Sequence, residues 1–198
     1  MSAVARLWAG VAALIGLALV IQVAELAPLL RYSRPAIAAG EVWRLLTGHL
    51  VHLGAAHLAL NAAGTVLIAA LVGHHLGLRA WAATTIVCAL AVAAGLWWLA
   101  PQIDWYVGLS GVLHGLLVAG AIAALASRRE RVFALIVLAV IATKLAWEQA
   151  LGPTPGTAAL SGGPVVTEAH LFGALGGLLA GASALFAGWR QHRPPYTD

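Results

Sequence analysis

The sequence predicts an all-α, polytopic membrane protein, and three observations predict it. Of 198 residues, 62% are hydrophobic and only 9% charged, against roughly a quarter charged in an ordinary soluble domain. Mean hydropathy is +0.91. Apolar runs of bilayer-spanning length recur along the chain, with short basic clusters between them. A soluble core could not hide this much apolar surface, so lipid is the solvent; the length suits one domain.

Six runs can span, at roughly 7–27, 54–73, 80–99, 110–126, 131–151 and 167–188. The first is longer than the hydrophobic region of a signal peptide and more spans follow it, so it is read as a membrane helix. The segment after it, 28–53, contains Pro28 and Pro35 and then Glu41-Val42-Trp43-Arg44. It is expected as a partly helical hairpin in the interface, with Trp43 as an anchor. The second and third spans are joined by a 74–79 loop containing Arg79, and the fourth and fifth by Ser127-Arg128-Arg129-Glu130-Arg131, the densest basic cluster. The 152–166 segment is rich in Gly, Pro, Ser and Thr, has no hydrophobic period, and is expected to be a mobile lid.

Charge sets the orientation. The net charge is +4, from ten Arg and one Lys against seven acidic residues. These bases form no groove-sized patch, so nucleic acid is not the expected partner. Arg6, Arg79, the 128–131 cluster and Arg190, His192 and Arg193 are all accommodated in the cytoplasm when both termini lie inside. Arg31, Arg34 and Arg44 dissent, falling outside. The lone Cys88 lies within an apolar run and permits neither an internal disulfide nor a thiolate metal site.

Polar side chains within spans are costly and mark function. Span two carries His57 and Asn61, span four Ser110 and His114, span six Glu168 and His170. All fall in the half of their helix nearest the outer face, although the helices alternate in direction. One outward-facing polar site accounts for that. His57 and Asn61 are four apart and share a helical face, as do Ser110 and His114. His170 shares its face with Gly173, Gly177 and Gly181, a small-residue stripe that permits close approach to a neighbour. Span four, with Gly111, Gly115 and Gly120, is the expected neighbour.

In Gly108-Leu109-Ser110-Gly111 a serine stands between glycines where a loop becomes a helix. Glycine lets backbone and substrate approach closely, and a helix N-terminus supplies free N–H groups to a developing oxyanion. The fourth span is short, which leaves Ser110 submerged beneath a cavity. Either His170 or His114 could serve as the base, the latter one turn below on the same face. Glu168, two residues before His170, points about 200° away around the helix. Lys144 and Glu148, one turn apart in span five, form a self-contained pair. His49 and His52 either pack the loop or line a water path. His74 and His75 carry no assignment.

Trp43-Arg44, His57-Leu58-Ala59-Leu60-Asn61, Gly108-Leu109-Ser110-Gly111 and Ala169-His170-Leu171-Phe172-Gly173 occur in that order. Together they resemble the WR, HxxxN, GxSG and AHxxG motifs of the rhomboid family of intramembrane serine proteases. The resemblance implies a six-helix core, Ser110 as nucleophile and His170 as base, with no acidic third member. His57 and Asn61 are expected either as oxyanion donors beside the Ser110 backbone N–H, with Gly108 in support, or as hydrogen bonds between helices. Trp43 is expected as an interfacial anchor, and Arg44 is expected to cap loop carbonyls or meet lipid phosphate. No metal or cofactor is expected. Gly108 to Gly115 resembles the rhombosortase branch. That branch implies a bacterial inner-membrane protein with its site toward the periplasm. Its partners would be membrane-anchored proteins whose C-terminal Gly-Gly, transmembrane and basic tail is removed. His114 departs from the family, most of whose members carry Tyr stacked under the histidine.

Two other readings use the same residues. His49, His52, His57, His114 and His170 with Glu168 could gather a metal, as in a membrane transporter or oxidase. An inactive rhomboid relative could serve as a binding module, although that would leave the paired Ser110 and His170 without a purpose.

Overall fold

The computed structural model describes residues 1–191 and, within the last helix, side chains as far as Ser183. Of the basic C-terminal residues, the Arg190 side chain and all of His192 and Arg193 lie outside the described residues.

Helices occupy every predicted apolar run. They are α1 (Ala3–Val23), α5 (Ala55–Ile68), α6 (His74–Leu99), α7 (Ser110–Ala124), α8 (Arg131–Leu151) and α10 (Thr167–Gln191). Among the described residues, three helical stretches are long and apolar enough to cross a membrane by length and composition: Ala3–Val23, Ala55–Leu99 and Arg131–Leu151. The middle stretch is nearly continuous, because a five-residue π-helical segment, Ala69–Gly73, joins α5 to α6. The turn itself is made at Gly77, whose φ of 64° and ψ of 170° interrupt the helix. That left-handed φ is open to glycine at little cost.

The short α7 is the centre of the bundle. Val112, Leu116, Ala119, Ala121 and Ala124 are fully buried, and α10, α6, α8 and α5 pack around it. Peripheral helices instead turn apolar side chains outward: Val20 in α1 and Val140 in α8 are 61% and 63% exposed. This inversion, small and apolar inside and apolar outside, suits a protein whose solvent is lipid.

Between α7 and α10 the glycine stripes interlock. A Cβ on Gly173 would run into the Gly111 carbonyl, one on Gly177 would lie 2.7 Å from the Gly115 Cα, and one on Gly111 would lie 2.7 Å from the Ala169 carbonyl oxygen. Gly181 faces Ala119 and Ile122. Gly120 departs from the expected stripe: it faces Val72 of the π-helical segment. In a 3.6-residue repeat, the nine positions from Gly111 to Gly120 carry it about 180° around the helix.

The 28–53 segment is a built cap: α2 (Ala27–Leu30), strand β1 (Tyr32–Ser33), α3 (Arg34–Ala38), α4 (Arg44–Thr47) and a 3₁₀ turn at Gly48–Leu50. Strand β1 pairs antiparallel with β2 (Trp105–Tyr106), Tyr32 opposite Tyr106. Arg34, one of the dissenting arginines, donates to the carbonyls of Leu96, Trp97 and Ala100 at the end of α6. Buried Arg44 donates to the carbonyls of Pro28 and Arg31 and pairs with Glu41 at 2.6 Å. Its head is held by the loop and is not offered to lipid phosphate. Trp43 is half exposed, with its indole N–H on the Leu29 carbonyl. The 152–166 segment, expected to lack structure, holds a short helix, α9 (Thr157–Ser161), which packs near α5.

Gly173→Val should force α7 and α10 apart and cost about 3 kcal/mol or more, since the contact is backbone on backbone. Gly16→Ala in α1, where a Cβ meets nothing within 4 Å, should be neutral or stabilising by about 0.5–1 kcal/mol. Thermal unfolding of the detergent-purified variants checks both.

Candidate active site

Four of the long helices converge on one cavity of about 500 Å³. It is lined by Ser110 and His114 from α7, His57 and Asn61 from α5, His170 from α10 and Lys144 from α8. Segment 102–107 and residues of α9, including Thr157 and Leu160, also line it.

Ser110 is the first residue of α7, so its backbone N–H has no partner within the helix. The preceding turn is held rigidly. The Gly108 N–H donates to the Gly48 carbonyl at 3.2 Å, and buried Tyr106 donates its hydroxyl to the Gly108 carbonyl at 2.6 Å. Gly108 itself has φ of +119°, and a Cβ there would lie 2.8 Å from the His57 ring. Glycine is required both for the backbone and for the space.

The Ser110 Oγ lies 3.0 Å from His170 Nε2. The other nitrogen of that ring, Nδ1, lies 2.8 Å from Glu148 Oε2, and Glu148 is only 2% exposed. Glu148 Oε1 accepts from Lys144 Nζ at 2.6 Å. Lys144 also reaches His114 Nε2 at 2.9 Å, and His114 Nδ1 reaches the Ser110 carbonyl at 2.8 Å. The two imidazoles stack with centroids 4.1 Å apart and planes inclined by 13°.

One proton assignment satisfies the whole circuit. Lysine only donates and a carbonyl only accepts, so His114 carries its proton on Nδ1 and accepts on Nε2. An ionised Glu148 only accepts, so His170 carries its proton on Nδ1 and leaves Nε2 free to accept from the Ser110 hydroxyl. His114 is thus committed to the serine's carbonyl and lies under His170, the packing position. Of the two candidate bases, His170 alone faces the hydroxyl.

Across the cavity, His57 Nδ1 accepts from the Leu53 N–H at 3.3 Å, which puts the proton on Nε2, the nitrogen turned toward Gly108. Asn61 is buried, and its Nδ2 has no hydrogen-bond partner. An unpaired buried amide is costly. Two donors therefore face the serine with nothing on the protein to receive them.

The remaining expected residues separate. His49 is buried with Nε2 on the Ala89 carbonyl at 3.1 Å and an edge contact to Tyr106; it packs the cap. His52 is buried edge-on to His57, 5.1 Å between centroids. Glu168 turns away and accepts from Gln102 at 3.4 Å. The six-ligand gathering of His49, His52, His57, His114 and His170 with Glu168 does not form, because these side chains point to separate partners. Among the described residues, two other groups have metal-ligand spacing, His114 with Glu148 and His170, and His74 with His75 and Glu130. In the first, each facing atom already has its place in the hydrogen-bond circuit. Glu148 was not singled out for the site from sequence; as an acid inside an apolar run it carried the signal, but its one-turn spacing from Lys144 offered a self-sufficient explanation.

A family model for the rhomboid domain matches residues 39–186. Comparison with curated proteins gives no match.

Burial holds His49 and His52, both in the cap, at a pKa of about 4, below their ordinary 6.5. Above 6.5 both are neutral whether the chain is folded or not. As pH falls from 6.5 toward 4, the unfolded chain takes up protons that the folded one refuses, and stability is lost. The loss should reach about 2–3 kcal/mol per ring near the lower end. A falling unfolding midpoint between pH 7 and 4.5, shallower in His52→Gln, is the expected result.

Proposed function

The chain belongs to the rhomboid family of intramembrane serine proteases, and from that premise we propose an active endopeptidase built on Ser110 and His170. The observation that carries the proposal is the 3.0 Å contact between the Ser110 Oγ and His170 Nε2, opposite the unpartnered Asn61 amide in the same cavity.

The Ser110 oxygen attacks the scissile carbonyl carbon as its proton passes to His170 Nε2. The carbonyl oxygen becomes an oxyanion, received by the Ser110 backbone N–H, Asn61 Nδ2 and His57 Nε2–H. As the tetrahedral intermediate collapses, the C–N bond breaks and the proton on Nε2 goes to the departing amine. Water repeats the sequence on the acyl-enzyme, giving up its proton to Nε2 and restoring Ser110. Gly108 keeps the approach to Ser110 open, and His114 holds the serine's carbonyl and the underside of His170. Trp43 and Arg44 serve the cap.

A second cavity of about 420 Å³ supports a substrate arriving from lipid. It opens at Ser110, His114 and Lys144 and continues between α5, α7 and α8, where Gly64, Leu71, Val137 and Val140 line it. An apolar trough leading to a nucleophile suits a membrane-anchored protein.

The proposal includes one domain, six crossings with both termini in the cytoplasm, and a site toward the periplasmic side of a bacterial inner membrane. The Arg128, Arg129 and Arg131 cluster follows the end of α7 opposite Ser110, as the positive-inside rule favours. The dissenting Arg34 and Arg44 are consumed by carbonyls within the fold. The likeness of Gly108–Gly115 to rhombosortases favours substrates with a C-terminal Gly-Gly, a transmembrane segment and a basic tail, which is cut off after export. Consecutive glycines would bring a backbone without side chains to the crowded turn at Ser110.

Detergent-purified protein should label with a serine-reactive fluorophosphonate, and Ser110→Ala and His170→Ala should abolish labelling. Asn61→Ala should slow it by about 100- to 1000-fold while leaving the fold intact. A folded wild type that does not label would remove the active-protease reading.

A further inference from the structure

The pair Ser110–His170 does not stand alone. Behind His170, on α8 and one turn from Lys144, is a carboxylate. Glu148 Oε2 lies 2.8 Å from His170 Nδ1, and the side chain is 1% exposed. We propose that Glu148 is a positioning residue that completes a Ser110–His170–Glu148 triad, an inference that rests on the active-protease reading above. Glu148 touches neither substrate nor the reacting atoms; it acts through the imidazole.

The chemistry requires two things of His170. Its Nε2 must be unprotonated and aimed at the Ser110 hydroxyl, and the ring must tolerate a positive charge once it has taken the serine's proton. An acceptor at Nδ1 secures both, since it fixes the proton there and faces the imidazolium with a negative charge. Without such an acceptor, a neutral imidazole can exchange tautomers or turn, and either change takes Nε2 out of use.

The surroundings of Glu148 argue that its charge is intended. A carboxylate buried by itself in an apolar bundle is expensive. Here both oxygens are engaged, Oε1 by Lys144 at 2.6 Å and Oε2 by His170 at 2.8 Å. Lys144 in turn is tied to His114 and, through it, to the Ser110 carbonyl. Were the lysine and glutamate only a self-neutralising couple, one oxygen would suffice and the other would not need to face His170. The proton stays on Nδ1 throughout: one proton moves from Ser110 to Nε2 and on to the leaving amine, while Glu148 remains ionised.

A structural role and a positioning role predict opposite rankings of two variants. Glu148→Gln keeps the volume and can still hydrogen-bond, but it can offer its N–H to Nδ1 and so select the wrong tautomer. Glu148→Asp keeps the charge but is one methylene shorter. Second-order rates of fluorophosphonate labelling in detergent, compared at matched thermal stability, should fall about 10³- to 10⁴-fold in Glu148→Gln, as when a triad acid is made an amide. Glu148→Asp should recover at least tenfold of that loss. Gln labelling as fast as Asp, or faster, overturns the proposal. If Glu148→Gln does not fold, the wild type decides: ¹⁵N-histidine NMR should show His170, assigned by loss of its signals in His170→Ala, with its proton on Nδ1 and strongly downfield. A proton on Nε2 overturns it. The two readings fail differently. Wild type that does not label removes the protease, whereas wild type that labels equally well as Glu148→Gln leaves a working dyad and removes only the triad.

Discussion

The contact on which the site depends is backbone against backbone, where Gly111 and Gly115 of α7 meet Gly173 and Gly177 of α10. No hydrophobic force drives two helices together in lipid, because the tails are as apolar as the side chains. Association rests on dispersion at close range, and only helices stripped of side chains approach this closely. The consequence is chemical. Ser110 stands at the start of α7 and His170 near the start of α10, one turn from the first interlocked glycines. A separation larger by the width of one side chain would take the Ser110 Oγ and His170 Nε2 out of hydrogen-bond range. The small-residue stripe is thus part of the site's geometry, although none of its members touches a reacting atom.

Around that pair, the low dielectric makes each polar group answer for itself. The circuit from Lys144 through Glu148, His170 and Ser110, and back through His114, has a single self-consistent set of donors and acceptors. The lysine supplies the one surplus of protons and the carboxylate the one surplus of lone pairs. Two groups stand outside this closure, the Asn61 amide and the His57 Nε2–H, and both face the place where negative charge would develop. The buried Asn61 amide lines the same cavity as Ser110 and His170 and has no partner there, so it is the donor that the proposed oxyanion would meet.

The cap answers a different constraint. A helix that begins below the surface needs its entrance turn held from above. Strand pairing of Tyr32 with Tyr106, the Gly108 N–H on Gly48, and Arg34 spread across the last carbonyls of α6 fix the 100–109 segment from three directions. The arginines there serve orphan carbonyls that lipid could not. Arg34 and Arg44 are thus accounted for by the carbonyls they bind within the fold, whichever side of the membrane they face.

By itself the sequence determined the medium, the helices and half of the site. Apolar runs fix helix positions because in lipid every backbone group must be paired within its own segment, so length and hydropathy suffice. His57 with Asn61, and Ser110 with Gly108, were legible because a spacing of four encodes a shared helical face and because the glycine-flanked serine, weak alone, occurs together with His170 and the His57/Asn61 pair. The glycine stripes, likewise, announced a close neighbour. Whether Gly120 joined them, where the dissenting arginines pointed, that the 152–166 segment held a helix, and which histidine faced the serine were decided only in three dimensions. Glu148 is the sharpest case. Along the chain it is 22 residues from His170 and four from Lys144, and local pairing explained it fully. Only when α8 is laid beside α7 and α10 does its second oxygen meet the imidazole, because contacts between helices depend on rotation and depth, quantities that no spacing within a single helix encodes.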